Sequence, residues 1–172
     1  MRKFLSLLVL FTLFCCQSEP RSKGPFQGVV LETPAGGKIE TRVVYTIPDQ
    51  TQGLSGVRPE DFSTSEGMLF FYLDDSEKAF WMPDTYFDLD LIFLDRDLRI
   101  VDIIRKLPHY IGRNNEDLIP RARSVYCRHT LEMKADSEIS ANLKIGDQLK
   151  WNGKMSLEDS ENLIRKELTA HP

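Results

Sequence analysis

The chain has 172 residues, with 22 basic and 26 acidic side chains, for a formal charge of −4. That length suits one domain with tails and a proper core, and the acidic balance excludes the basic footprint of a nucleic-acid binder. Arg121, Arg123 and Arg128 cluster in sequence, but so few cations read as a solvated face rather than a phosphate site.

Met1-Arg2-Lys3 is followed by the apolar run Phe4–Phe14. That run is about half the length a bilayer-spanning helix needs, which favours a signal peptide over an anchor helix. It ends in Thr12-Leu13-Phe14-Cys15-Cys16, where bacterial lipoprotein signals place a small residue before the lipidated cysteine. With Cys16 as acceptor, Leu13 stands third before the cut and the small Cys15 directly before it. With Cys15 as acceptor, bulky Phe14 would precede the cut. The expectation is a signal peptide over residues 1–16 with lipidation at Cys16, an ordinary cleaved secretory signal being the alternative. Residues 17–25 (QSEPRSKGP) read as a flexible tether. Cys127 is then left alone, with no intrachain disulfide, as a small buried hydrophobe.

Within the expected domain, residues 26–152, Phe26–Thr33 suits a first strand and Lys38–Ile47 a second. Residues 48–54 suit a short helix or turn with Gly53 near its end, Gly67–Leu73 a buried strand, and Asp74–Lys78 a turn. The stretch Phe80–Ile104 dominates the pattern. Leu89–Leu94 and Leu98–Ile104 flank the polar turn Asp95-Arg96-Asp97 and read as a hairpin. Pro108–Arg123 has no period and forms a long excursion of the kind that is often functional. Ser124–Met133 reads as a strand, residues 136–142 as a helical turn, and residues 143–149 as a turn into a closing strand. The tail over 153–172 reads as an amphipathic helix, with Ser156 and Asp159 at its start.

Three blocks in this order, Gly67-Met68-Leu69-Phe70-Phe71, Phe80-Trp81-Met82-x-x-Thr85 and Leu89-Asp90-x-Ile92-Phe93-Leu94-Asp95, resemble the family called domain of unknown function 192. Leu131-Glu132-Met133, Ile145-Gly146-Asp147 and Gln52-Gly53-Leu54 resemble further segments of it, so the resemblance runs from about Val29 to Trp151. It implies a small all-β domain and no particular reaction. Pro83 and Asp84 stand where the family usually has Lys and Asn, Asp88 where it has Pro, Ser55 where it has Met, and His129 where it often has Tyr.

Asp84, Asp88, Asp90, Asp95 and Asp97 form an acidic constellation. Asp90 is expected half-buried on its strand, held by loop N–H groups, Thr85, Trp81 or Arg99. Trp81 is a core anchor or a platform for a sugar or peptide. No zinc spacing, glycine-bearing calcium loop, phosphate loop or nucleophile elbow occurs, and no cofactor or metal is expected.

The reading is a single compact all-β domain, sandwich, jelly-roll or barrel-like, with one or two short helices. It would be lipid-anchored in a bacterial envelope and serve as a non-catalytic binding or accessory module. Its candidate site residues are Trp81, Met82, Asp84, Thr85 and Asp90. Its partners would be the membrane and an envelope glycan or protein, with no nucleic acid. The alternative is a small hydrolase of envelope polymers using Asp84 or Asp90 as general acid or base.

Overall fold

A computed structural model describes Phe26 and residues 28–170, so the signal segment, Cys15, Cys16 and the tether lie outside the described residues. The strands are β1 (Val29–Glu32), β2 (Lys38–Val44), β3 (Glu66–Phe70), β4 (Ser76–Lys78), β5 (Leu89–Leu94), β6 (Ile100–Leu107), β7 (Val125–Cys127), β8 (His129–Lys134) and β9 (Lys150–Asn152). Three α-helices accompany them: α1 (Ile47–Gln52), α2 (Glu138–Asn142) and α3 (Leu157–Ala170). Seven strands form one curled half-barrel sheet in the order β6-β5-β8-β3-β2-β1-β9, and β4 pairs with β7 separately. Of the expected architectures the barrel-like one fits. All pairings are antiparallel except β2 with β3.

The apolar runs over 67–73 and 89–94 are continuous because this sheet is covered on both faces, so each strand feeds two cores by simple alternation. On one face lie Leu31, Ile39, Leu69, Phe71, Ile92, Leu94, Leu131 and Met133, closed over by Leu143, Leu149 and Ile164 of α3. On the other lie Met68, Phe70, Leu89, Leu91 and Phe93, closed over by Leu54, Phe62, Met82, Val125 and Cys127. Gly67 is required where β3 crosses between neighbours. A Cβ there would stand 2.7 Å from Leu131 Cδ1 and 2.9 Å from Ile39 Cγ2.

The helices form where capping groups are available. Thr46 Oγ1 accepts the Asp49 N–H at the start of α1, and Gly53, at φ 47°, turns the chain out of it. Ser137 accepts the Ser140 N–H for α2, and Ser156 accepts the Asp159 N–H ahead of α3. Among the described residues no helix is long and apolar enough to cross a membrane.

Two local expectations need correction. Asp74–Lys78 is not only a turn, since Ser76–Lys78 pairs with Val125–Cys127. Ser124–Met133 is not one strand but two, broken at Arg128, whose guanidinium turns toward Asp75 and Glu161.

Asp90 also departs from expectation. It is only 2 % exposed, and neither Thr85, Trp81 nor Arg99 holds it. Leu89 pairs with Leu107 and Leu91 with Ile104, so Arg105 and Lys106 together face Asp90 in a β-bulge. The bulge leaves the Lys106 N–H, at φ 51°, without a ladder partner. Asp90 accepts that N–H at 2.9 Å, the Arg105 guanidinium at 2.6 Å and the Ser140 hydroxyl at 2.7 Å. Arg105 continues to the Ser140 and Leu143 carbonyls, tying the hairpin to α2. Arg99 instead reaches the Gly146 carbonyl.

Asp90→Ala leaves the bulge N–H and Arg105 uncompensated. The expected cost is about 3 kcal/mol, read as a lower urea midpoint with an unchanged slope.

Candidate functional site

The block Phe80–Thr85, which turns at Pro83-Asp84, is held by the Pro108–Arg123 excursion, which runs antiparallel beside it. Isolated bridges join Trp81 to Arg121 and Thr85 to Tyr110. The Met82 N–H donates to the Pro120 carbonyl at 3.1 Å and the Asp84 N–H to the Gly112 carbonyl at 2.7 Å. With its backbone groups used this way, the block keeps Met82 buried, while Trp81 remains 43 % exposed with the Arg121 guanidinium 4.9 Å from its ring centre.

Asp84 sits at φ 51°, in the left-handed region that Asn and Asp tolerate best. Its carbonyl accepts the Gly56 N–H and its carboxylate the Gly112 N–H. Asp84 therefore does the conformational work open to the Asn usual in the resembled family. Ser55 donates to the Pro83 carbonyl at 2.6 Å, and buried Thr85 donates to the same carbonyl. These contacts draw the turn after α1 toward the block.

Between the two lies a pocket of about 210 Å³, bounded by residues 50–55, Phe80–Pro83 and Thr85. Phe70, Tyr72, Leu89 and Glu132 also line it. Trp81, Met82 and Thr85 of the sequence-derived set meet here, and Asp84 braces the turn beside them. Asp90 does not join them. It shares its strand face with Ile92 and Leu94, away from Leu89, Leu91 and Phe93, which pack on the pocket side.

Glu132 is the residue that pattern reading missed. It stands on β8 opposite Met68 of β3 and Leu91 of β5, inside the sheet, and is 5 % exposed. Its parity was the available signal. Leu131 and Met133 belong to the opposite core, so the intervening Glu132 had to enter the pocket-side core. Among the described residues no hydrogen bond reaches its carboxyl, and burial alone raises its pKa from 4.5 to about 8. No fully enclosed side-chain oxygen or nitrogen lacks a partner, so the Glu132 oxygens must touch the open space of the pocket. Burial also raises the Tyr72 hydroxyl, and the Glu132 charge is the next cause. A carboxyl left unbonded in a pocket marks a functional site more sharply than one consumed by neighbours.

The histidines have separate roles. His129 is buried, accepts the Tyr72 N–H through Nδ1 at 3.2 Å, and lies 4.3 Å from the Phe71 ring centre. Burial, helped by the Arg128 charge, lowers its pKa to about 3, so it is neutral. His109 makes a 2.6 Å surface contact with Asp88, whose pKa it lowers. Cys127 is buried, and burial raises its thiol. That setting disfavours a nucleophilic thiolate. Among the described residues no His, Cys, Asp and Glu group is placed to hold a metal ion.

The model of the family DUF192, described as "Uncharacterized ACR", matches residues 29–151. No curated protein matches the chain. A crystal structure of a candidate transcription regulator from Sinorhizobium meliloti 1021 is similar at a TM-score of 0.55 and 25% identity, covering 72% of this chain and 91% of that one. A protein of unknown function from Novosphingobium aromaticivorans is similar at 0.57 and 23% identity, covering 72% and 83%.

Because Glu132 binds its proton more tightly folded than unfolded, its contribution to stability is complete below its unfolded pKa of 4.5 and lost as pH rises to about 8. Glu132→Gln should therefore gain stability over the wild type across that window, by at most about 1.4 kcal/mol per pH unit. Subtracting paired urea titrations cancels the opposing contribution of His129, and a flat difference between about pH 5 and about pH 8 would refute the assignment.

Proposed function

The chain belongs to the uncharacterised DUF192 family, and we propose that it is a non-catalytic ligand-binding module of the bacterial cell envelope, held to a membrane by lipid on Cys16. The observation that carries the binding role is the Glu132 carboxyl, enclosed on an inner strand, unbonded, and open to a pocket rimmed by the half-exposed Trp81. Its oxygens face the open space of the pocket with no protein donor among the described residues, so they are free to accept from the donor of an entering ligand. The basic start, the apolar run and the Cys15-Cys16 junction support export and anchoring.

Hydrolysis is the weaker reading. Glycosidase chemistry requires a pair of carboxyl groups across a cleft, and Glu132 is the sole carboxyl among the lining residues. Asp90 is committed to the bulge on the opposite face and Asp84 to its turn. The acidic chain, of charge −4, is poorly suited to a phosphate backbone, which disfavours for it the DNA-binding role implied by the regulator description of the Sinorhizobium protein.

In cells fed labelled palmitate, the full chain should take up label and sediment with membranes, and Cys16→Ser should abolish both. Labelling that survives in Cys16→Ser but fails in Cys15→Ser would move the acceptor, and no labelling in any form would remove the anchor. Soluble peptidoglycan fragments and phospholipid head groups should perturb Trp81 fluorescence saturably and be recovered intact. Recovery of cleaved fragments would favour the hydrolase.

A further inference from the structure

We propose that the Glu132 pocket receives an organic ammonium group, with the carboxylate as its counter-ion and the surrounding aromatic rings as its cage. This rests on the reading above that the pocket is the binding site, and it specifies the ligand class.

The lining is unusual in composition. Phe70, Tyr72, Phe80 and Trp81 contribute rings, Glu132 contributes the acid, and no Lys, Arg or His lines the space. Rings with a negative face attract cations within about 6 Å of the ring centre, most strongly where water is excluded. The protein already uses two of these rings in that way. Lys78 Nζ lies 3.9 Å from the Tyr72 ring centre, and the Arg121 guanidinium lies 4.9 Å from that of Trp81. Lys78 is itself paired with Asp74 and bonded to Ser76, which limits its opposition to an incoming cation. The last turn of α1, which forms one wall, carries no basic residue. An anion would meet Glu132 with nothing to balance it.

A neutral hydrogen-bonding ligand could satisfy a protonated Glu132, but a cation does something further. It stabilises the ionised form, so binding expels a proton and becomes linked to pH. Among the described residues the titratable group coupled to Glu132 is Tyr72, on the segment following β3, and Lys78, on β4, lies over the Tyr72 ring. Its cross-strand neighbours Met68 and Leu91 are apolar. Tyr72 is raised, so it stays neutral, and Glu132 is the group that titrates between neutrality and mild alkali.

The test uses the full chain and tetramethylammonium, whose charge does not change with pH. Binding is followed by the Trp81 indole NMR resonance, distinguished from that of Trp151 by a Trp151→Phe variant. Saturable binding should strengthen by up to about tenfold per pH unit below about pH 8 and level off above it. Glu132→Gln, isosteric with the protonated acid, should keep the native spectrum and weaken binding at least about tenfold at alkaline pH. Neopentyl alcohol, a neutral analogue of similar bulk with a hydroxyl in addition, should bind at least about tenfold more weakly than the cation.

Preference for tetramethylammonium over N-acetyl-lysine amide would indicate a quaternary head group, and the reverse a lysine side chain. Equal affinity for the neutral alcohol, or no effect of Glu132→Gln, overturns the ammonium assignment. If neutral saccharide fragments shift Trp81 and ammonium does not, the ligand class falls while the binding site stands. If neither does so at saturating concentration, both fall.

Discussion

Burial of both faces of one sheet governs this molecule. An inner strand in such a sheet has no solvent side, so each of its residues must enter one core or the other. β8 and its neighbours β5 and β3 occupy that position. The covering layers follow from it. α3 and the 143–149 segment close one face, while the turn after α1 and the Phe80–Pro83 block close the other. A β-sheet with one wet face would have needed neither the tryptophan block nor its brace from the 108–123 excursion.

Two carboxylates placed in this interior show what the constraint allows. Asp90 and Glu132 stand on adjacent strands, but on opposite faces. Asp90 accepts from a guanidinium, a hydroxyl and a backbone N–H, and so secures the bulge that shapes the β5–β6 hairpin. Glu132 has no such bonds, and burial holds its proton on near neutrality. The same residue class at similar depth is structural in one place and available for recognition in the other. Hydrogen-bond partners decide which.

The departures of this chain around the block are compatible with an open pocket. Asp84 retains the left-handed backbone that the turn requires, and Pro83 offers only its carbonyl, which Ser55 and Thr85 use. Ser55 is shorter than the methionine usual in the family, and its hydroxyl anchors the opposite wall to the block instead of filling the space between. Gly53 supports the same geometry, since at φ 47° a Cβ there would stand only 3.1 Å from Phe70 Cζ.

Local patterning was enough to reveal most of the long strands, the hairpin with its Asp95 turn, the helix start at Ser156 and Asp159, and the all-β class, while residues 48–54 stayed open between helix and turn. Period, turn chemistry and caps act over a few residues and are written in sequence. The block Phe80–Thr85 was also legible as special, because its shapes are too specific for a generic loop. Tertiary structure alone decided three things. It divided residues 125–134 into two strands at Arg128, it assigned Asp90 to Arg105 across a bulge, and it brought Glu132 to the pocket that Trp81 also lines. Each depends on which strand lies beside which and on which face is covered, and those long-range pairings are not encoded in any short window of the chain.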